Sequence, residues 1–359
     1  MNKLIVVFFV YLFSIQNACS QLDFTSPSGT SHPLLSKMDS TIKSGKYERI
    51  TSVLVAQNGE LLFENYYNGA DSNSKHNTRS ATKTMATLLT GIAIKQGYIQ
   101  SEKDKIFKYL GHKTPVKNPD DRKSGITLED LLSMSSILEC NDFNSYSRGN
   151  EERMYVIEDW TGFLVDLPVR AYPFEPKPED QPYGRAFSYC SAGAAAMADI
   201  VQRAVGMPAD QFAKQNLLDP LGFEDYVLHY TPEGVLNTAG GSEYKSRDLL
   251  KLIQLCLNKG VWNGQEIIPA AWLQKATTPK VRVRDGVEYG YLFWLRSFGE
   301  NQQHYSYHMS GNGGQKLLAI PELNAVMVIT TTNYGNRNAH NYTDELVNEY
   351  IVPALTDQQ

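Results

Sequence analysis

Strand-forming segments lie at both ends of this chain, and helical periodicity fills the stretch between them. Residues 50–56 (Ile-Thr-Ser-Val-Leu-Val-Ala) and 60–67 (Glu-Leu-Leu-Phe-Glu-Asn-Tyr-Tyr) flank Asn58-Gly59, a pair suited to the positive φ values of a tight hairpin turn. Strand-like runs return from Tyr289 onward, over 289–298, 304–310, 315–320 and 325–332, with a turn at Pro321-Glu322-Leu323-Asn324. Between them, Thr127 and Asp130 form a capping-box pattern ahead of Leu131 and Leu132. Segments 192–204 and 246–257 read as helices, as does 341–352 near the end. The expected fold is α/β of the α+β type: an antiparallel sheet flanked by helices, built from residues 21–97 plus 281–359. A mostly helical lobe, 98–280, is inserted, with the active site between the lobes. A length of 359 residues accommodates two such lobes.

The N-terminus carries a separate signal. Lys3 precedes an apolar run from Leu4 to Ile15, and Ala18-Cys19-Ser20 supplies small residues before Gln21, the layout of a secretory signal peptide over residues 1–20. The run is too short to span a bilayer, which needs ~20 apolar residues, so an exported protein with no transmembrane anchor after cleavage is expected, periplasmic or secreted. Lipid attachment through Cys19 is the alternative, although Gln16 and Asn17 fit a lipobox poorly. The net charge of −5 becomes −6 once Lys3 is removed, a balance that gives no reason to expect nucleic acid or an anionic membrane surface as partner. Of the four cysteines, three remain once Cys19 leaves with the leader, too few and too widely spaced for a disulfide scaffold or a Cys-based zinc site, and the seven histidines have no ligand spacing. No metal and no cofactor are expected.

Ser-x-x-Lys occurs four times, but only Ser80-Ala81-Thr82-Lys83 opens an apolar helix, about Ser80 to Gln96, with Met85, Leu88, Leu89 and Ile92 on one stripe and Gly97 at the C-terminal cap. A three-residue step sets Ser80 and Lys83 on one face. Two readings apply to the pair: a serine cap with a solvated lysine, or a nucleophile with its base. A serine hydroxyl attacks only when a neighbouring group takes its proton, and a lysine does so only when burial or charge brings its pKa toward neutrality. Further along stand Tyr189-Cys190-Ser191, then His308-Met309-Ser310 before Gly311-Asn312-Gly313-Gly314-Gln315. Taken singly, Tyr189 is a half-buried core residue, His308 a structural strand residue, and the glycines a turn.

In this order the three motifs resemble those of the serine beta-lactamase family, in its class C and esterase-like branch, over residues 45–335. The stretches 126–136, 149–155 and Ala239-Gly240-Gly241 are similar to those of esterase-like and 6-aminohexanoate-dimer-hydrolase-like members. The resemblance implies a serine hydrolase that acylates Ser80 and deacylates it with water, acting on a small ester, amide or peptide-like substrate. By position it makes Lys83 the proton acceptor and Tyr189 its coupled partner, with the backbone N–H groups of Ser80 and Gly311 as oxyanion hole. Ser191, His308 and Ser310 fall at substrate-binding positions, and Ser191 is placed to donate to Lys83 or to substrate. A beta-lactamase or DD-peptidase, and a binding protein that captures an acyl group or peptide without turnover, stay open.

The chain departs from the family pattern at His308, where a lysine is usual, and at Ser310, where a glycine is usual. A neutral imidazole attracts a substrate carboxylate weakly, so neutral short-chain esters are expected to be preferred over penicillins and cephalosporins. Cys140 and Cys190 lie near the two ends of the inferred cleft. In an oxidising compartment they either form a disulfide that pins the Tyr189 loop or stay as two buried thiols. The prolines at 173, 176, 178 and 182 mark a surface loop leading to Tyr189.

Overall fold

The computed structural model describes residues 22–24, 32–170 and 176–357. The proposed leader at 1–20, Cys19 and Pro173 lie outside them.

Strands β1 (Ile50–Gln57) and β2 (Glu60–Tyr66) form the expected hairpin, and Asn58 and Gly59 both take positive φ, 54° and 83°. The other six strands of the sheet come from the C-terminal third: β3 (Val281–Arg284), β4 (Val287–Tyr289), β5 (Trp294–Phe298), β6 (His304–Gly311), β7 (Gln315–Ile320) and β8 (Ala325–Thr331). They pair antiparallel in the order β2-β1-β8-β7-β6-β5-β4-β3, so β1 lies against β8 and the two chain ends close one sheet. Every residue of β1 and β8 is buried because both faces are covered. Leu54, Ala56, Val326 and Val328 face one apolar core, and Val53, Val55, Met327 and Ile329 face the other, the two-residue alternation of a strand.

The second core is closed by helix α1 (Pro33–Lys43), through Leu35, Met38 and Ile42, and by the C-terminal helical run, through Leu346, Val347, Ile351 and Leu355. The first core is larger and holds α2 (Thr84–Lys95), α3 (Ser191–Val205) and α4 (Ser246–Leu257). The C-terminal run begins as α5 (Ala339–Leu346) and continues through a π turn.

Two expectations need correction. The predicted strand 289–298 is split, because residues 290–293 leave the sheet. There Thr84 and Thr87 of α2 donate their hydroxyls to the Leu292 and Tyr291 carbonyls, each at 2.7 Å, replacing ladder bonds with side-chain ones. Helix α2 does not present a single apolar stripe either. Thr84 to Ala93 are all buried, and its threonines fit the interior because their hydroxyls are bonded to carbonyls. It is the central helix of the molecule, and Ser80 sits just ahead of it.

Candidate active site

Ser80 lies in a 3₁₀ turn, Arg79–Lys83, that runs into α2. With three residues per turn, positions i and i+3 eclipse, so Lys83 stands directly over Ser80 and its Nζ donates to Ser80 Oγ at 3.0 Å. Lys83 is 1% exposed, and its Nζ also donates to the Ala239 carbonyl at 2.5 Å. Arg79, just before Ser80, has a φ of 50°, a strain on the order of 1 kcal/mol for a non-glycine residue. Several contacts hold it there. Its N–H donates to Asn77 Oδ1 at 3.0 Å, and its guanidinium stacks on the Tyr334 ring at 4.0 Å.

Two glycines let neighbouring backbone close on this turn. A Cβ on Gly240 would lie 3.3 Å from the Arg79 carbonyl. A Cβ on Gly311, at the end of β6, would lie 2.2 Å from the Thr78 carbonyl oxygen and 3.1 Å from the Ala81 nitrogen. The strand end and the turn thus touch backbone to backbone, and Ser80 and Gly311 both line one cavity of about 550 Å³.

Tyr189 forms a wall of that cavity, packed between Phe143 (ring centroids 5.0 Å apart, 9° between planes) and Trp294 (5.9 Å, 29°). Lys83 Nζ lies 5.1 Å from the Tyr189 ring centroid. Cys140 and Cys190 are joined in a disulfide, which ties the residue after Tyr189 to the segment entering Asp142. The same two segments are bonded again, Asp142 N–H to the Tyr189 carbonyl at 2.8 Å and Ser188 Oγ to the Cys140 carbonyl at 2.6 Å.

Ser191 is fully buried. Its hydroxyl donates to Glu151 Oε2 at 2.7 Å rather than to Lys83, and its N–H donates to Asp142 Oδ2 at 2.7 Å. Asp142 Oδ1 accepts the Glu151 N–H at 2.9 Å. Asp142 and Glu151 both line the cavity beside Ser80. Burial first, then the charge of Glu151, pushes the Asp142 carboxyl up to about 6 against the opposing pull of Lys83. Neither acid was singled out from the sequence; the stretch 149–155 was familiar, but nothing in it assigned a role.

The far wall comes from β3, β5, β6, β7, the segment leading into α5 and α5 itself, and it is cationic. His308 and Ser310 lie there, with Arg284, Arg296, Lys316 and Arg337. His308 is 4% exposed, and burial, reinforced by the charge of Lys316, holds its pKa well below the ordinary imidazole value, so it is neutral. Its Nδ1 is buried with no hydrogen-bond partner. Lys316, cross-strand from Ser310, is buried and ion-paired with Asp344, whose other oxygen accepts from Arg296 Nη1 at 2.7 Å. Burial alone would raise Asp344; the Lys316 and Arg296 charges outweigh it and hold the carboxyl at about 2. The imidazole is neutral, as expected from the sequence, and the cations on this wall come from Arg284, Arg296, Lys316 and Arg337. A lysine inside the apolar run Gln315-Lys316-Leu317-Leu318-Ala319-Ile320 was the available signal, since lysine is almost never buried unpaired.

Pro178–Asp180 is a short 3₁₀ turn, and residues 176–184 are mostly exposed. A second cavity, about 620 Å³, lies beside α1 and β2 against Tyr47, Arg49 and Tyr66 and includes none of these residues. Among the described residues no three His, Cys, Asp or Glu side chains gather as metal ligands, and no helix is long and apolar enough to cross a membrane.

No curated protein sequence matches the chain closely enough to count as a relative. Solved structures with the same fold are numerous. One is a Bacillus anthracis protein assigned as a 6-aminohexanoate-dimer hydrolase (TM-score 0.71, 17% identity, 89% of this chain and 82% of that one). Another is a Bacteroides dorei DSM 17855 protein assigned as a beta-lactamase (TM-score 0.69, 18% identity, 90% and 98%). A third is a family VIII carboxylesterase (TM-score 0.63, 17% identity, 87% and 96%). At these identities they establish the fold. The beta-lactamase family model matches residues 45–350, which spans the turn of Ser80, the Tyr189 wall and the cationic strands alike, so the chain belongs to the beta-lactamase family and has the fold of its serine hydrolases.

Proposed function

We propose that this protein hydrolyses esters or amides through an acyl-enzyme on Ser80. The observation that carries the reading is the buried Lys83 Nζ at 3.0 Å from Ser80 Oγ, with Tyr189 beside it on the cavity wall. Lys83 Nζ, held by its bond to the Ala239 carbonyl, takes the Ser80 hydroxyl proton. Ser80 Oγ then attacks the substrate carbonyl carbon, and the negative charge moves onto the carbonyl oxygen, facing the Ser80 and Gly311 amides. Such donors contribute about 3–4 kcal/mol to a transition state. The Lys83–Tyr189 pair returns the proton to the departing alcohol or amine. Water repeats the sequence to release the acid.

A fluorophosphonate probe is expected to label Ser80, found by peptide mass mapping, and labelling is expected to vanish in Ser80→Ala. Labelling that persists in Ser80→Ala, or an inert wild-type protein that turns over no p-nitrophenyl ester, defeats the reading. The leader-like residues 1–20 support export. N-terminal sequencing of the mature protein from its host is expected to begin at Gln21, whereas a lipid-modified Cys19 as the first residue would establish the lipoprotein alternative.

A further inference from the structure

Three rings stand in a row along the cavity wall. Trp294, Tyr189 and Phe143 all line the cavity, and Tyr189 lies 5.9 Å from Trp294 on one side and 5.0 Å from Phe143 on the other. The Trp294 end of the row is closed by further rings, Tyr289 edge-on at 5.1 Å and Phe187 at 6.2 Å. The other end is open. Among the described residues Phe143 stacks on no ring but Tyr189, and at 69% exposure it is the one exposed phenylalanine. The loop that carries it is tied down: Cys140 is joined to Cys190, the Asp142 N–H donates to the Tyr189 carbonyl at 2.8 Å, and Asn150 Nδ2 donates to the Asp142 and Asn144 carbonyls at 3.1 and 3.2 Å. Asn141 Oδ1 accepts the Phe143 N–H itself at 3.0 Å. An apolar ring in water is unfavourable, and these bonds keep Phe143 there, with one face on Tyr189 and the other uncovered.

We infer that the open face of Phe143 is an aryl subsite, and that the enzyme selects esters or amides whose departing group carries an aromatic ring. A ring laid on Phe143 becomes the fourth member of the row in offset-stacked geometry, an attraction that a saturated group of the same size lacks. Tyr189 sets the side of the scissile bond. On the hydrolase reading it shares in returning the proton to the departing alcohol or amine, so that group lies next to Tyr189, and the ring stacked on Tyr189 at the cavity mouth is Phe143. The choice of the departing group rests on that reading; the open end of the row does not.

The test compares benzyl butyrate with cyclohexylmethyl butyrate, neutral esters of similar size and similar alcohol acidity, by titration of the acid released. Both form the same butyryl-enzyme and share its deacylation, so a subsite for the departing group acts on kcat/KM. In the wild type the benzyl ester is expected to exceed the saturated one in kcat/KM by about 5-fold, the scale of one ring–ring contact. That ratio is expected to fall to about 1 in Phe143→Leu and to be kept in Phe143→Tyr, which retains a ring. A wild-type ratio near 1 overturns the subsite. So does a ratio that survives Phe143→Leu while both esters slow by the same factor, since Phe143 would then only shield Tyr189 from water. If neither ester is turned over, ligand-observed NMR decides: binding of benzyl alcohol in preference to cyclohexylmethanol, lost in Phe143→Leu, supports the subsite, and equal or absent binding overturns it. The hydrolase reading falls separately, on p-nitrophenyl esters that stay intact.

Discussion

The two walls of the cavity are built in opposite ways. The wall of Ser80 and Lys83 is local: one 3₁₀ turn, two residues three apart, fixed by the chain that carries them. The wall of Arg296, His308, Lys316 and Asp344 is assembled from β5, β6, β7 and α5, which meet only because the sheet stacks those strands and α5 covers them. On the proposed reading, chemistry that must be placed to a fraction of an ångström sits on one short turn of backbone, and charge that need only be nearby is collected across elements. Substitutions should therefore fail differently on the two walls.

The largest effect is expected at Lys83. Lys83→Ala should lower kcat on p-nitrophenyl esters by roughly 10³–10⁴-fold, the scale of lost proton transfer. Steady-state kinetics checks this. A Lys83→Ala variant with near-normal rates across pH would mean that the local wall is not the proton-transfer wall.

The next effect is one of stability, and it tests the far wall. His308→Lys would put a third cation beside Lys316 and Arg296 with one carboxylate among them. Burying an uncompensated charge costs on the order of 3–5 kcal/mol, so the thermal midpoint should fall by many degrees, while His308→Gln, neutral and hydrogen-bonding, should fall far less. Equal midpoints for the two variants would show that position 308 opens to solvent.

A smaller effect separates the acidic side. Asp142 has its carboxyl raised to about 6 by burial and Glu151, above an ordinary value near ~3.9. Between about pH 4 and 6 the native state binds more protons than the unfolded chain, so this group's contribution to stability falls as pH rises through that window, by up to ~3 kcal/mol in total. Asp344, depressed to about 2, acts with the opposite sign and at lower pH, as its contribution is lost between about 4 and 2. Denaturant titrations from pH 4.5 to 7.5 should show a decline that flattens in Asp142→Asn; parallel curves would remove Asp142 as its source.

What could be read from the sequence follows the same division. The β1–β2 hairpin was legible because Asn58-Gly59 fixes a turn locally, and α4 because its apolar spacing coincides with the helix observed, Ser246–Leu257. Ser80 and Lys83 were legible as a pair at fixed spacing. The break at 290–293 was not, because its cause is the hydroxyls of Thr84 and Thr87, about two hundred residues away in sequence. For the same reason the partners of His308 were hidden: its neighbours Trp294 and Leu318 are set by strand register, and Asp344 arrives on a helix. The family motif singled out His308, which lines the cavity, yet the electrostatics there depend on residues that no motif contains.

The smallest predicted effect concerns Ser191, where the motif and the geometry point to different roles. By its place after Tyr189 it was read as a donor to Lys83 or to substrate, but its hydroxyl is spent on Glu151 Oε2 at 2.7 Å and the side chain is fully buried. Lys83 instead has Ser80 Oγ and the Ala239 carbonyl. Ser191→Ala removes one hydrogen bond to a carboxylate that faces the cavity and can turn to water, so about 1 kcal/mol of stability should be lost. The Asp142 contact persists, because it is made by the Ser191 backbone. If Ser191 positions Glu151 and takes no part in proton transfer, kcat should fall less than about 5-fold, with the pH profile of kcat unmoved. A loss of 100-fold or more, accompanied by a displaced pH profile, would return Ser191 to the Lys83 proton network.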